Sequence, residues 1–276
     1  MGKNSRIEWT DHTFNPWWGC TKVSEACKHC YAEAWSKRVG QRVWGPKAAR
    51  RFFSERHWLE PVKWNADALA HERRRRVFCA SMADVFEDRR NLDMWREKLW
   101  DLIEITPQLD WLLLTKRPEL VMTLTRWGDN WPPNVWLGTT VENQKAADTR
   151  LPHLATTPAA VRFISAEPLL GPLDIEPWLG TVVNWVITGG ESGAKARPSS
   201  PSWFRGLLSQ CVAGGVPFHF KQWGDWAPGQ TPNIDGKSAT MREVDDGTAM
   251  FRVGKKAAGR LLDGEMWDEL PLARAA

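Results

Sequence analysis

Seven short apolar runs, spread along 276 residues, constrain this chain more than any other feature. They lie at 13–17 (TFNPW), 77–82 (VFCASM), 111–115 (WLLLT), 134–140 (NVWLGTT), 161–166 (VRFISA), 184–188 (NWVIT) and 217–221 (PFHFK). Most are apolar without a break, as strands covered on both faces must be, and such a sheet is parallel with helices supplying the cover. The helices are readable between the runs. Leu92, Trp95, Leu99, Leu102 and Ile103 form an apolar stripe with Arg96, Glu97, Lys98 and Asp101 opposite. Pro118 can open a helix over PELVMTLTRW, and Trp203, Leu207, Leu208 and Cys211 mark another that Gly214 and Gly215 stop. The expected fold is α/β: a complete or partial (β/α) barrel of the triosephosphate isomerase type, with about six or seven parallel strands.

Composition excludes several classes. With 42% apolar and 25% charged residues the chain is too rich in core material to be disordered. No apolar run approaches the roughly 18 residues of a membrane span. The opening MGKNSRIEWTD has neither the hydrophobic core nor the cleavage site of a secretory signal, so a cytoplasmic protein without membrane partners is expected. A formal charge of +4 barely argues for nucleic acid by itself, so any such argument rests on clustering. Tryptophan is the anomaly: 19 residues against one tyrosine, where average usage gives about three or four. Most of them must pack inside.

Two stretches break the strand–helix alternation. Residues 41–72 are rich in Arg, Trp and Pro and read as an insertion. After Trp226 the chain turns rich in Gly, Asp and Pro and ends in a polar, hairpin-like stretch. The expected organisation is a barrel over 1–226 carrying that insertion, and an appendage over 227–276 packed on it.

In such barrels, function gathers at the carboxyl ends of the strands. Each run here is followed at once by polar residues, which lines one rim with Asp84, Lys116, Arg117, Glu142, Asn143, Glu167, Glu191 and Lys221. Some of these only meet solvent. Others are candidates for acid–base work, with Asp84, Lys116, Glu142 and Glu167 foremost. Gly189, Gly190, Glu191 and Ser192 read either as a backbone cradle whose Glu191 holds an ammonium group, or as a glycine pair that merely turns the chain. Lys116 and Arg117 suit a carboxylate or phosphate, or a salt bridge along the rim.

The sharpest feature is Cys20, Cys27 and Cys30, three of five cysteines within eleven residues. That spacing is a poor disulfide framework and a reasonable metal site in a reducing compartment. Three thiolates can hold three corners of a [4Fe-4S] cluster and leave one iron open. A zinc shell completed by His29 or His12, or three unligated thiols, fits the spacing too. Lys22, Lys28 and the N-terminus of the helix YAEAWSKRV should lower the thiol pKa values. Cys79 and Cys211 read as small core residues.

One basic cluster stands out. Arg73, Arg74, Arg75 and Arg76, with Arg50, Arg51, Arg56 and His57 upstream, are interleaved with Trp44, Phe52, Phe53, Trp58 and Trp64. Arginines on phosphates and indoles under bases hold single strands or distorted duplexes, while a solvated basic face gives the same pattern. Lys116 and Arg117 would extend that surface to the rim.

The blocks FNPWWGCTKVSEACKHCYAE, SMADVF, LLLTKRPE, VWLGTTVENQ, RFISAEPLLGP, WVITGGESG, FHFKQWG and VGKKAAGRLLDG together resemble the phage-type three-cysteine family, over about residues 7–271. That family is similar to radical S-adenosylmethionine enzymes and is placed near spore photoproduct lyase. The resemblance implies a cluster on Cys20, Cys27 and Cys30 and S-adenosylmethionine along Ser81, Thr140, Gly189, Gly190, Glu191 and Ser192. It also implies a radical-type lyase or modifying enzyme, an electron donor as partner, and a nucleic-acid substrate, DNA ahead of RNA. The chain departs from the family of enzymes in having six residues between the first two cysteines, not three, and in carrying its Gly-Gly-Glu block after the sixth strand, not the second. Two other functions fit the residues: a non-catalytic iron–sulfur or zinc protein that binds nucleic acid, and a barrel enzyme using Asp84, Glu142 and Glu167 without radical chemistry.

Overall fold

The structure, a computed structural model, describes residues 2–229 and 240–271. The expected parallel sheet is present. Its strands are β1 (His12–Thr13), β2 (Arg75–Cys79), β3 (Leu109–Thr115), β4 (Val135–Thr140), β5 (Val161–Ala166), β6 (Trp185–Gly189) and β7 (Phe218–Gln222), each hydrogen-bonded to the next in chain order. All six pairings are parallel, and the sheet curls into a half-barrel.

Two-sided burial explains the unbroken apolar runs. On the outer face Val77, Trp111, Leu113, Leu137, Ile164, Val186 and Phe220 join one core with the helices, including α1 (Asp93–Glu104), α2 (Gln144–Ala155) and α3 (Pro201–Ala213). On the inner face Phe78, Leu112, Trp136, Phe163, Trp185 and Ile187 form a separate cluster around Trp9. Trp9 meets Phe78 at 4.6 Å and Trp185 at 6.2 Å between ring centroids, and Trp136 meets Trp185 edge-on at 6.3 Å. Gly138 leaves room for this filling, since a Cβ there would lie 2.3 Å from the Phe163 ring.

Three local expectations change. The first run supplies only His12–Thr13 to the sheet, and Trp17–Trp18 pairs instead with Arg51–Phe52, antiparallel, inside the predicted insertion. Pro16 lacks the N–H a ladder needs, and the Asn15 side chain takes over by accepting from the Met82 N–H at 2.7 Å. The PELVMTLTRW helix shrinks to the turns Pro118–Leu120 and Val121–Leu124. Beyond it Trp127 and Trp131 cover Trp100 with indole surface, Trp127 at 4.7 Å from Trp100 and Trp131 at 5.0 Å from Trp127. Residues 41–50 of the insertion are irregular, and helices follow over Glu55–Trp58 and Glu60–Ala70, with Trp58 and Trp64 in the outer core.

After β7, Trp226–Pro228, Met241–Glu243 and Ala249–Arg252 make a small antiparallel sheet, while part of the Gly- and Pro-rich stretch, 230–239, lies outside the described residues. The chain then returns to β7. Phe220 N–H donates to the Trp267 carbonyl at 2.9 Å, Phe218 N–H to the Glu269 carboxylate at 2.8 Å, and His219 bridges to Asp268, so the free edge of the last strand is covered.

His219 points into the barrel, edge-on to Trp185 at 6.2 Å, with both ring nitrogens buried without a hydrogen bond and Nδ1 3.7 Å from the Asp268 carboxylate. Burial lowers its pKa to about 4, against a smaller upward pull from Asp268. A histidine depressed in the folded state binds its proton first in the unfolded state, so stability falls as pH drops from about 6.5 towards 4. Urea midpoints across that window should show a loss on the order of 3 kcal/mol, and the His219→Leu variant should flatten the slope.

Candidate functional site at the strand carboxyl ends

The cysteine loop leaves the barrel through Gly19, which bridges in parallel to Ala83 and has φ of 115°. A Cβ there would lie 2.3 Å from the Val43 carbonyl. Beyond it Glu25–Cys27 forms one tight turn, and Cys30 stands at the start of the helix Tyr31–Arg38. All three thiols are half-buried, whereas Cys79 and Cys211 are buried in the core.

Rim residues from several strands hold this loop. Arg117, after β3, donates to the Thr21 carbonyl at 2.6 Å and approaches Cys20 Sγ at 3.7 Å. Glu142, after β4, takes the Ala26 N–H at 3.5 Å and is itself held by Arg150 at 2.6 Å. Glu191, after β6, meets His29 Nδ1 at 3.2 Å. The Tyr31 hydroxyl donates to the Ser81 carbonyl, after β2, at 2.9 Å.

The first two thiols of the loop differ electrostatically. Burial pushes Cys20 up to about 12, helped by the carboxylates of Asp84 and Glu87 and only partly offset by Arg117. Cys27 moves down: burial opposes this, but the Lys116 ammonium and hydrogen bonds from Val23 and Ser24 outweigh it. The expected role of Lys22 passes to Lys116, because Lys22 is spent on Glu33 at 2.6 Å. Lys116 is half-buried, and among the described residues its ammonium carries no ion pair or hydrogen bond. No group of three His, Cys, Asp or Glu side chains is gathered for a metal ion among the described residues. His29 is turned to Glu191, and His12 is stacked on Trp64 at 4.6 Å.

The acid–base candidates are internally committed. Asp84 accepts from Thr115 Oγ1 at 2.8 Å, Phe86 N–H at 3.1 Å, Lys116 N–H at 3.1 Å and Arg117 at 2.8 Å. Glu142 is buried, and its carboxyl stays below the usual range: burial raises it, but Arg150, Ser24 and Lys116 prevail. Glu167 takes Lys221 Nζ on both oxygens at 2.7 and 2.8 Å and Gln222 at 3.1 Å.

The Gly-Gly-Glu segment needs its glycine for packing. A Cβ on Gly190 would lie 1.9 Å from the Trp223 carbonyl, and one on Gly224 would lie 2.2 Å from that of Glu191, so two loops cross backbone to backbone. Gly189 lies under Gln222 in the same crossing. Glu191 does not await a ligand's ammonium group. Arg197 fills it with three bonds, from its N–H at 2.8 Å, Nε at 2.9 Å and Nη2 at 2.7 Å, which keeps its pKa low against the effect of burial. Ser192 Oγ is buried without a partner, and the buried Thr140 lends its carbonyl to Arg150 at 2.8 Å.

The basic cluster divides in space. Arg75 and Arg76 begin β2, at the end of the sheet opposite the cysteines, and pair with Asp11, while Arg74 pairs with Asp110 at 2.6 Å and Arg73 is exposed beside them. Arg50 is no phosphate ligand, because its buried guanidinium grips Glu87 at 2.5 and 2.9 Å, the carbonyls of Val43, Gly45 and Ala48, and Thr21 Oγ1. Arg51 is exposed and lies over the Trp18 ring at 4.6 Å and Phe53 at 5.5 Å. Trp18 also meets Trp35 at 5.0 Å, on the helix that starts at Cys30.

A family model covers residues 4–271. The chain belongs to the family described as protein of unknown function DUF5131. That match does not carry the phage-type three-cysteine assignment. No curated protein matches the sequence. Among solved structures the DUF5131 chain is similar to a cysteine-to-alanine mutant of spore photoproduct lyase, with a TM-score of 0.44 and 11% identity over 93% of this chain and 72% of that one.

Sequence reasoning passed over Arg150, Arg197, Trp18 and Trp35. Arg150 stands eight residues after Glu142 and Arg197 six after Glu191, a spacing that offers a local partner but does not reveal it. Gly190→Ala should destabilise the protein by about 3 kcal/mol or more, since one backbone must move off another. Gly206→Ala, in open space on α3, should be neutral or slightly stabilising, and paired denaturant titrations compare the two.

Proposed function

We propose that this chain holds a [4Fe-4S] cluster through Cys20, Cys27 and Cys30 and uses it on a nucleic acid at the mouth of the half-barrel. The observation that carries this reading is the grip of Arg117, Glu142, Glu191 and Ser81 on one loop bearing three half-buried thiols. Soft thiolates suit iron–sulfur chemistry, and three of them leave one iron open. The cationic surroundings fit a negative cluster: Arg117 lies at Cys20 and Lys116 acts on Cys27. When bound, the cluster would supply an electron to S-adenosylmethionine, and the aromatic barrel floor would keep water from the reacting groups.

The protein's own residues then have definite tasks. Arg117 and Arg50 fix Thr21, Glu142 fixes the turn at Ala26, and Glu191 with Arg197 fixes His29 between the second and third cysteines. Lys116 offsets thiolate charge. Lys221 and Glu167 stand on the rim as a paired cation and anion. Nucleic acid is best served by Arg51, Trp18, Phe53 and Trp35, a stacked cation and indoles beside the cysteine helix, as single strands require. The phage-type three-cysteine kinship, a DNA substrate, an electron-donor partner, a cytoplasmic location and the division at residue 226 belong to the same reading. Among the described residues no helix is long and apolar enough to cross a membrane.

A second reading, a cluster- or zinc-bearing nucleic-acid binder without turnover, is favoured by the internal commitment of Asp84, Glu142 and Glu191. Anaerobic reconstitution separates the two. The first expects a brown protein with about four iron and four sulfide, and 5′-deoxyadenosine released on reduction with S-adenosylmethionine. Cys27→Ala should abolish both colour and product, while Cys211→Ala should keep them. A brown protein without product supports the second reading, and a colourless one refutes the cluster. Arg51→Ala should weaken single-stranded DNA about fivefold in fluorescence anisotropy, and an unchanged affinity would remove the platform from the binding surface.

A further inference from the structure

We propose a phosphate-binding cavity at the end of the last strand, where VGKKAAGRLLDG returns to the barrel. The cavity, of about 440 Å³, is lined by Glu8 from the segment before β1, Lys221 and Gln222 at the end of β7, and Lys255, Lys256 and Arg260. Four cations therefore face one carboxylate. Two of the cations are already balanced: Lys221 by Glu167, and Arg260 by Asp268. Lys255 and Lys256 are exposed, and among the described residues neither side chain carries an ion pair or a hydrogen bond.

The lysine pair is held in place by the backbone. The N–H groups of Val253 and Gly254 both donate to the Asp225 carbonyl, at 2.9 and 3.0 Å, and Trp223 N–H donates to the Gly259 carbonyl at 3.2 Å. Adjacent unpaired ammonium groups repel one another and contribute nothing to folding. They pre-form a place for an anion. A phosphoryl group matches two point charges with its several oxygens and needs no bidentate geometry, which lysine does not offer. The volume exceeds what a bare ion fills and lies in the range of small-ligand sites.

The position gives the cavity its use. Lys221 lines it and also grips Glu167 on the rim, so a ligand anchored there by its phosphate has its remainder directed to the barrel mouth. The site does not depend on the cluster, and the iron-free chain should bind as well as the reconstituted one.

Isothermal titration of the full chain with inorganic phosphate, adenosine 5′-monophosphate and adenosine, and anisotropy with a short fluorescein-labelled single strand, test this. Phosphate-bearing probes should bind and adenosine should not. The double variant Lys255→Ala/Lys256→Ala, whose changes are at exposed positions, should keep its thermal unfolding curve and lose about tenfold or more in affinity. Glu8→Gln should tighten binding by removing the opposing charge. Retained nucleotide binding by the wild type identifies a free nucleotide as the source of the phosphate. Binding of the strand alone, with a salt slope about 1.4 shallower in the double variant, identifies a nucleic-acid backbone. Failure of the wild type to bind any phosphate probe, equal binding of adenosine, or unchanged affinity in both variants would overturn the proposal while leaving cluster assembly and Arg51 binding to be judged separately.

Discussion

The cysteine loop has too little regular structure to hold itself, and the whole site depends on buried charged side chains that tie it to the sheet. Arg117 reaches Thr21 while anchored on Asp84, and Arg50 reaches the same threonine while anchored on Glu87. Glu142 with Arg150 holds Ala26, and Glu191 with Arg197 holds His29. Desolvation consumes most of what such pairs gain, so their net effect on stability is small. Losing one partner leaves an uncompensated buried charge, which costs about 3–5 kcal/mol. The result is a loop with few alternatives: three thiols fixed in place by a frame whose members cannot be removed singly.

This frame changes the meaning of the rim. Polar residues at strand ends invite assignment as acids, bases or ligand-binding groups, and here several of them serve the loop. Asp84 has its oxygens filled, and Glu191 is closed by Arg197. Among the described residues the groups left open towards a visitor include the cations Lys116, Lys255 and Lys256, and Arg51 on its indole. A rim whose carboxylates at Asp84, Glu142, Glu167 and Glu191 are each met by a cation, beside lysines left unpaired, is suited to an anionic partner.

The tryptophan excess has a mechanical explanation. Trp9, Trp136 and Trp185 fill the barrel floor, where a curved sheet leaves a wide inner space. Trp58, Trp64, Trp100, Trp111, Trp127 and Trp131 fill the outer layer, and the last two cover a stretch with only short helical turns. Large flat side chains thus stand in for missing helix. Near the cysteines Trp35 is 37% exposed, the most open indole among the described residues, while Trp95, Trp178, Trp203 and Trp267 are half-buried elsewhere.

Six of the seven strand positions and the parallel sheet could be read from the sequence alone, because burial on both faces leaves unbroken apolar runs, whereas the first run, interrupted by Pro16, gives the sheet only His12–Thr13. The rim residues could be read as places, since the end of a run is visible in the chain, and so could the cysteine trio. Their partners could not. The loop's contacts join residues 96, 116 and 162 positions apart, and nothing local in Arg117, Glu142 or Glu191 announces Thr21, Ala26 or His29. For the same reason six arginines close in sequence fell into two groups at opposite ends of the sheet, because the helices Glu55–Trp58 and Glu60–Ala70 between them carry the chain back across the molecule. Apolar patterning is a local property of the chain and survives in one dimension. The pairing of charges is decided only when the sheet brings distant loops onto one rim.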